Sequence, residues 1–168
     1  LRRATWCRSI RPHVSLSNVS LPMTAARPED SSEVPDGFRQ INMRPNPFID
    51  PLGPLYGRRD GNGIVIGIRV QARHCNPGGF CHGGMLMTLA DMLLIYNSNA
   101  QSGITQFMLT VNLTGDFVGP APMDSWLEGR AEMLRASKNM VFTNGVFTAN
   151  GSVVLRVNGI FKPSGEAR

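Results

Sequence analysis

Cysteine is scarce in this chain: Cys7, Cys75 and Cys81 are the three in 168 residues. They are too few and too scattered for a disulfide framework, so a reducing compartment is implied and the cytoplasm is the expected location. Aromatic residues make up 7% and charged residues 17%, yet 42% of the chain is hydrophobic, which excludes wholesale disorder. Long apolar runs are missing too. The longest, 83–96, is interrupted by Asp91 and falls short of the roughly 20 residues that span a bilayer, so no membrane partner is expected. Acid is absent from residues 1–22, which hold Arg2, Arg3, Arg8 and Arg11 and account for most of the net +5. The rest of the chain is nearly neutral, which argues against a nucleic-acid surface. No Gly-x-Ser-x-Gly elbow, P-loop or dinucleotide-binding glycine motif occurs.

The length suits one domain with a sizeable core. Residues 1–34 read as a tail rich in Ser, Arg and Pro. Met23 is the expected natural start, with 1–22 an upstream extension and a transit peptide the competing reading. The domain is expected over 35–163, followed by a short tail at 164–168. "MRPNPFIDPLGPLYG" carries four prolines and reads as irregular. After the turn "DGNG" (60–63), Ile64, Ile66, Ile68 and Val70 alternate with Val65, Gly67 and Arg69, as in a half-buried strand. A helix is expected from about Gly83 to Asn99, apolar almost all round and therefore enclosed. Four strands follow. The first alternates Phe107, Leu109, Val111 and Leu113 with Met108, Thr110, Asn112 and Thr114. The second has Leu127, Gly129, Ala131 and Met133 on one face. The last two, 140–148 and 153–161, join at Asn150-Gly151, a strong hairpin signal. One long helix against one face of a curling antiparallel sheet gives an α+β fold.

The helix has two unusual features, a Gly-Gly start and a carboxylate in its middle. Its first backbone N–H groups lack intrahelical partners and lie at its positive end. Glycines there let a ligand oxygen approach closely, so Gly83 and Gly84 form a plausible oxyanion site; close packing is the plainer explanation. Asp91 follows His82 by nine residues, roughly 13.5 Å along the axis and half a turn out of phase. If both features serve one substrate, they come from two chains, which predicts an isologous dimer. A structural carboxylate is the alternative for Asp91.

The string "NPGGFCHGGMLMTLAD" resembles the signature of hotdog-fold acyl-CoA thioesterases, in the branch typified by phenylacetic-acid-degradation enzymes. That pattern is Asn, five residues, His-Gly-Gly, then an acid nine residues after the His. Here it falls on Asn76, His82, Gly83, Gly84 and Asp91. The resemblance covers about 53–163 and includes "TVNLTGDFVGPA" (110–121). It implies a helix wrapped by an antiparallel sheet and hydrolysis of an acyl- or aryl-CoA without metal or other cofactor. It also implies a homodimer or homotetramer with sites at the subunit interface. By the same resemblance Gly83 donates its N–H to the thioester carbonyl and Gly84 keeps the turn open. Asp91 acts as base or nucleophile, Asn76 positions water or carbonyl, and Thr110 assists. His82 orients and hydrogen-bonds. Lys138 and Asn139, in the turn "RASKNM", are candidates for the phosphates of coenzyme A, or for a solvated turn. Met85, Met87, Met92, Met108, Phe80 and Tyr96 are candidates for an adaptable acyl pocket.

Other readings stay open beside it. A non-catalytic acyl-CoA-binding module is one, although retention of Asp91 speaks against it. A hotdog hydratase or dehydratase is another, but its Asp before "NP" is replaced here by His74. Zinc at His74-Cys75 and Cys81-His82 matches no usual ligand spacing, and neither cysteine has the partners of a nucleophile.

Overall fold

The computed structural model describes residues 34–164; the expectations about residues 1–22, Met23 and the last four residues lie outside it. In chain order the elements are β1 (Arg39–Gln40), a 3-10 turn (Asp50–Leu52), β2 (Tyr56–Asp60) and β3 (Gly63–Arg69). A second 3-10 turn (Ala72–His74) then leads to α1 (Gly83–Ser102). After it come β4 (Met108–Phe117), β5 (Trp126–Ala136), β6 (Val141–Ala149) and β7 (Ser152–Pro163). The strands form one antiparallel sheet in the order β1-β2-β3-β5-β6-β7-β4. Among the described residues no helix is long and apolar enough to cross a membrane.

The core lies between α1 and the concave face of the sheet. Leu89, Leu93 and Leu94 of the helix meet Ile66, Leu127, Phe147, Leu155 and Phe161 of the strands, all buried. Each such side chain contributes roughly 1.5–3 kcal/mol on burial. Gly129 and Gly159 let phenylalanine and leucine lie on the sheet: a Cβ at Gly129 would stand 2.5 Å from Phe147. The helix runs to Ser102, three residues past expectation, and stops at Gly103, whose left-handed φ of 68° returns its N–H to Asn99. Asn150 and Gly151, at φ 47° and 84°, make the expected hairpin, because a two-residue turn of that hand needs positive φ at both positions.

Three expectations are corrected. β3 is not half-buried: Val65, Ile66, Gly67 and Ile68 are all buried, because Trp126 covers the convex side. Its ring carbon lies 2.3 Å from where a Gly67 Cβ would stand, with Phe38 edge-on at 5.0 Å. The segment before "DGNG" is not wholly irregular, since β2 pairs with β3 from Tyr56–Gly67 to Asp60–Gly63. On β4, Met108 is the buried residue while Phe107, Leu109 and Val111 are exposed. A register shift between Thr110 and Asn112 inserts one residue and reverses which side chains face the helix. Met108 and Thr110 face it before the bulge, Leu113 and Gly115 after it.

Candidate active site

The loop into α1 is tied down at several points. His82 N–H donates to the His74 carbonyl (2.8 Å) and Asn76 N–H to the Phe80 carbonyl (2.8 Å). Cys75 and Cys81 therefore face each other as an isolated antiparallel bridge. The Asn76 carboxamide oxygen accepts from Gly78 N–H (2.9 Å) and Phe80 N–H (3.4 Å), so Asn76 organises the loop that delivers the helix start. His74 is buried and fully occupied. Its Nε2 donates to the Leu52 carbonyl (2.7 Å), and its Nδ1 accepts from Gln71 N–H (2.9 Å). Desolvation pulls its pKa below the usual histidine value, against a raising hydrogen bond to Leu52.

His82 is the N-cap of α1, and its Nδ1 accepts from Gly84 N–H at 2.9 Å. The proton of the neutral ring is thereby placed on Nε2. This contact distinguishes the two glycines. Gly84 N–H is taken by the cap, whereas Gly83 N–H has no acceptor among the described residues. Phe117, at the far end of β4, lies against Gly83, 3.3 Å from where a Cβ would stand.

Asp91 is partly exposed at mid-helix, and the Thr110 hydroxyl donates to its Oδ1 at 2.7 Å. Asp91 follows Gly83 by eight residues, or roughly 12 Å along the axis, so one chain does not bring them together. Lys138 and Asn139 are exposed in the β5–β6 turn, which Ser137 closes by accepting from Met140 N–H at 3.1 Å. Val141 just beyond is level with Phe161 and Thr110 across two ladders, so the turn rises from the Thr110 end of the sheet. Of the pocket candidates, Met85 and Met108 belong to the core. Met87, Met92 and Tyr96 are partly buried against it, and Phe80 is exposed.

The thiols are poor nucleophiles. Burial, helped by the neighbouring Cys75, pushes the Cys81 thiol up to about 12, and burial also raises Cys75. Among the described residues no group of three potential ligands could hold a metal. Sequence reasoning missed two site features: the His82 cap on Gly84, for which a polar residue directly before the helix was a signal, and Phe117 over Gly83. Phe117 had no local signal, because its inward direction depends on the bulge.

Residues 78–155 match the family profile of the thioesterase superfamily. A candidate esterase of Pseudomonas aeruginosa is 36% identical over 129 residues, covering 76% of this chain and 96% of that protein. Among solved structures, the PaaI protein of the Escherichia coli phenylacetic acid degradation operon superposes with a TM-score of 0.64 at 22% identity. That match covers 73% of this chain and 87% of the other. A hypothetical thioesterase of Streptococcus pneumoniae, solved with coenzyme A, gives 0.58 at 18%, covering 67% and 87%. A fold of one helix against a seven-stranded antiparallel sheet, a carboxylate facing the sheet edge and an open helix start thus come together with relatives of one kind: the chain belongs to the thioesterase superfamily and is a thioester hydrolase of the hotdog fold.

Proposed function

We propose that the chain hydrolyses acyl-CoA thioesters at sites shared by two copies, Asp91 of one facing the partner's Gly83. The observation that carries this reading is the division of labour along α1. A carboxylate held by Thr110 at 2.7 Å and an unclaimed first N–H lie on one helix, too far apart to meet the same carbonyl. A two-fold axis removes that separation. Among the described residues β4 is an edge strand paired only with β7, so its outer row of N–H and C=O groups is available to a second β4. Antiparallel pairing about its middle sets Thr110 of one copy opposite the Gly115–Phe117 end of the other. Phe117 lies on Gly83, so the Asp91–Thr110 pair of one copy comes to the partner's helix start.

The chemistry then follows. Asp91 takes a proton from water, and the resulting hydroxide attacks the thioester carbon. The carbonyl oxygen gains charge, which the Gly83 N–H and the positive helix end stabilise. The C–S bond breaks and coenzyme A leaves as a thiolate, a group good enough to need no Lewis acid. Lys138, on the turn at the Thr110 end, is suited to meet the nucleotide phosphates as a point charge. The coenzyme A bound to the Streptococcus pneumoniae neighbour supports this substrate class.

Release of free thiol from about ten CoA esters, aryl and aliphatic, tests the activity. Shared sites are tested by exchanging Asp91→Ala subunits with Gly83→Pro subunits. One site of each mixed dimer then holds both intact groups, so turnover returns; folded hybrids that stay inactive refute the two-chain site.

A further inference from the structure

A cavity of about 240 Å³ lies at the end of the sheet remote from Asp91. Asp91 reaches β4 at one sheet edge, whereas Tyr96, five residues on, faces β2 and β3 near the other. The floor is apolar, formed by Ile41, Ile64, Ile66 and Tyr96. Here β2 breaks the pattern of the sheet. Residues opposite each other in a ladder project to the same side. Gly57 faces Ile66 and Arg59 faces Ile64, on the side that packs against α1, and Arg39 of β1 faces Gly57. The concave face, apolar along β3, β5 and β7, thus carries two arginines at this edge. Gly57 leaves room for Ile41 to fold over the strand, 3.1 Å from where a Cβ would stand. The other nearby arginines are engaged: Arg58 lies over the Phe38 ring at 5.1 Å, and Arg130 pairs with Asp60. Among the described residues, Arg39 and Arg59 make no ion pair.

Arg39 and Arg59, both exposed, line this cavity beside its apolar floor, a pairing that complements an anion with a hydrocarbon body. We propose that this cavity binds a medium-chain monocarboxylic acid, its chain on Ile64, Ile66 and Tyr96 and its carboxylate between Arg39 and Arg59. The planar arginine fork fits a carboxylate with two parallel hydrogen bonds. At roughly 30 Å³ for a water-sized group the space holds about eight heavy atoms, the carbon chain of a medium-chain acid whose carboxylate oxygens lie at the rim. A carboxylic acid is also what a thioester hydrolase releases, so the cavity is placed to sense product; that consequence rests on the proposed activity, the binding does not. Inward charges on short edge strands also deter edge-to-edge pairing, a role that needs charge but no ligand.

Titration calorimetry with octanoate, 1-octanol and inorganic phosphate on the full-length protein separates the two. Octanoate binds, octanol binds at least about tenfold more weakly, and phosphate does not bind, because chain and charge must both be met. The Arg39→Gln/Arg59→Gln double variant weakens octanoate binding about tenfold or more and leaves initial-rate hydrolysis unchanged. Asp91→Asn binds octanoate as wild type does. Undiminished octanoate affinity in the double variant, loss of binding in Asp91→Asn, or phosphate binding as tightly as octanoate overturns the proposal. Should the double variant fold poorly, Arg59→Lys with a wild-type circular dichroism spectrum decides: it keeps charge but loses the fork, and weaker octanoate binding is expected. A chain that turns over no acyl-CoA yet binds octanoate here would refute the proposed activity alone.

Discussion

Thr110 on the outermost strand donates its hydroxyl to Oδ1 of Asp91 in the middle of α1, at 2.7 Å. The bond ties the helix to the sheet edge and fixes the carboxylate while leaving its other oxygen for water. Asp91→Asn keeps the shape and still accepts from Thr110, but removes the basicity. Its kcat should fall by about 10²–10⁴, the span of a lost general base. Because Asp91 is partly exposed and in no ion pair among the described residues, its neutralisation should change unfolding free energy by less than about 1 kcal/mol. Thr110→Val should cost less turnover than Asp91→Asn, and Thr110→Ser should retain most of it. Steady-state kinetics beside urea denaturation checks both; an Asp91→Asn enzyme at full kcat leaves the carboxylate as architecture.

The helix and its Gly-Gly start were legible because hydrophobic length, paired glycines and a mid-helix acid are local signals. The bulge at Thr110/Asn112 was not. One inserted residue leaves alternation intact on paper and reverses which side chains face inward, so Leu109 and Val111 read as core and Thr110 as surface. β2 escaped for a different reason: its helix-facing positions are Gly57 and Arg59, which carry no apolar period. Trp126 closing over Gly67 is a tertiary contact between strands about sixty residues apart, beyond any local pattern.

The His82 cap should contribute about 1 kcal/mol, the usual worth of a side-chain acceptor at a helix start. His82→Ala frees Gly84 N–H and should lower the urea midpoint accordingly, whereas His82→Asn should restore most of it, since Asn also caps. Turnover should fall modestly in the alanine variant through a looser Gly83. A loss of kcat as deep as that of Asp91→Asn would instead make His82 a proton-transfer group.

His74 gives stability a pH dependence of known sign. Its folded pKa is lowered, chiefly by desolvation, so below the unfolded value of roughly 6.5 the unfolded chain binds more protons. This contribution is complete above that pH and declines as pH falls toward the folded pKa. Denaturation midpoints between pH 7.5 and 5 should therefore drop, and His74→Gln should flatten that slope while lowering stability throughout. An unchanged slope in the variant assigns the acid sensitivity to another group.

Cys81 is 6% exposed, and its thiol is pushed up to about 12. At pH 7.5 almost none is thiolate, the reactive form. Iodoacetamide should leave folded Cys81 unlabelled and turnover intact, and should label it once the protein is unfolded in urea. Mass spectrometry of the peptide spanning 74–91 reads the result. Rapid native labelling with loss of activity would reinstate a chemical role for this cysteine.

The edge of β4 supplies the strongest test of assembly. Leu109 and Val111 are 51% and 54% exposed on a strand whose outer hydrogen-bonding row pairs with no other strand among the described residues, a combination that chains seldom leave open. If two β4 strands pair across a two-fold axis, Leu109→Lys/Val111→Lys sets like charges around that seam. The double variant should sediment as a monomer, keep its helix and sheet content by circular dichroism, and lose hydrolysis, because Asp91 no longer meets the partner's Gly83. Val146→Lys is the matched control: it adds a charge to an exposed residue of β6, a strand flanked by neighbours on both sides, and should stay assembled and active. Loss of assembly with full turnover would show that one chain suffices for catalysis, and an active, assembled double variant would place the subunit contact on another surface.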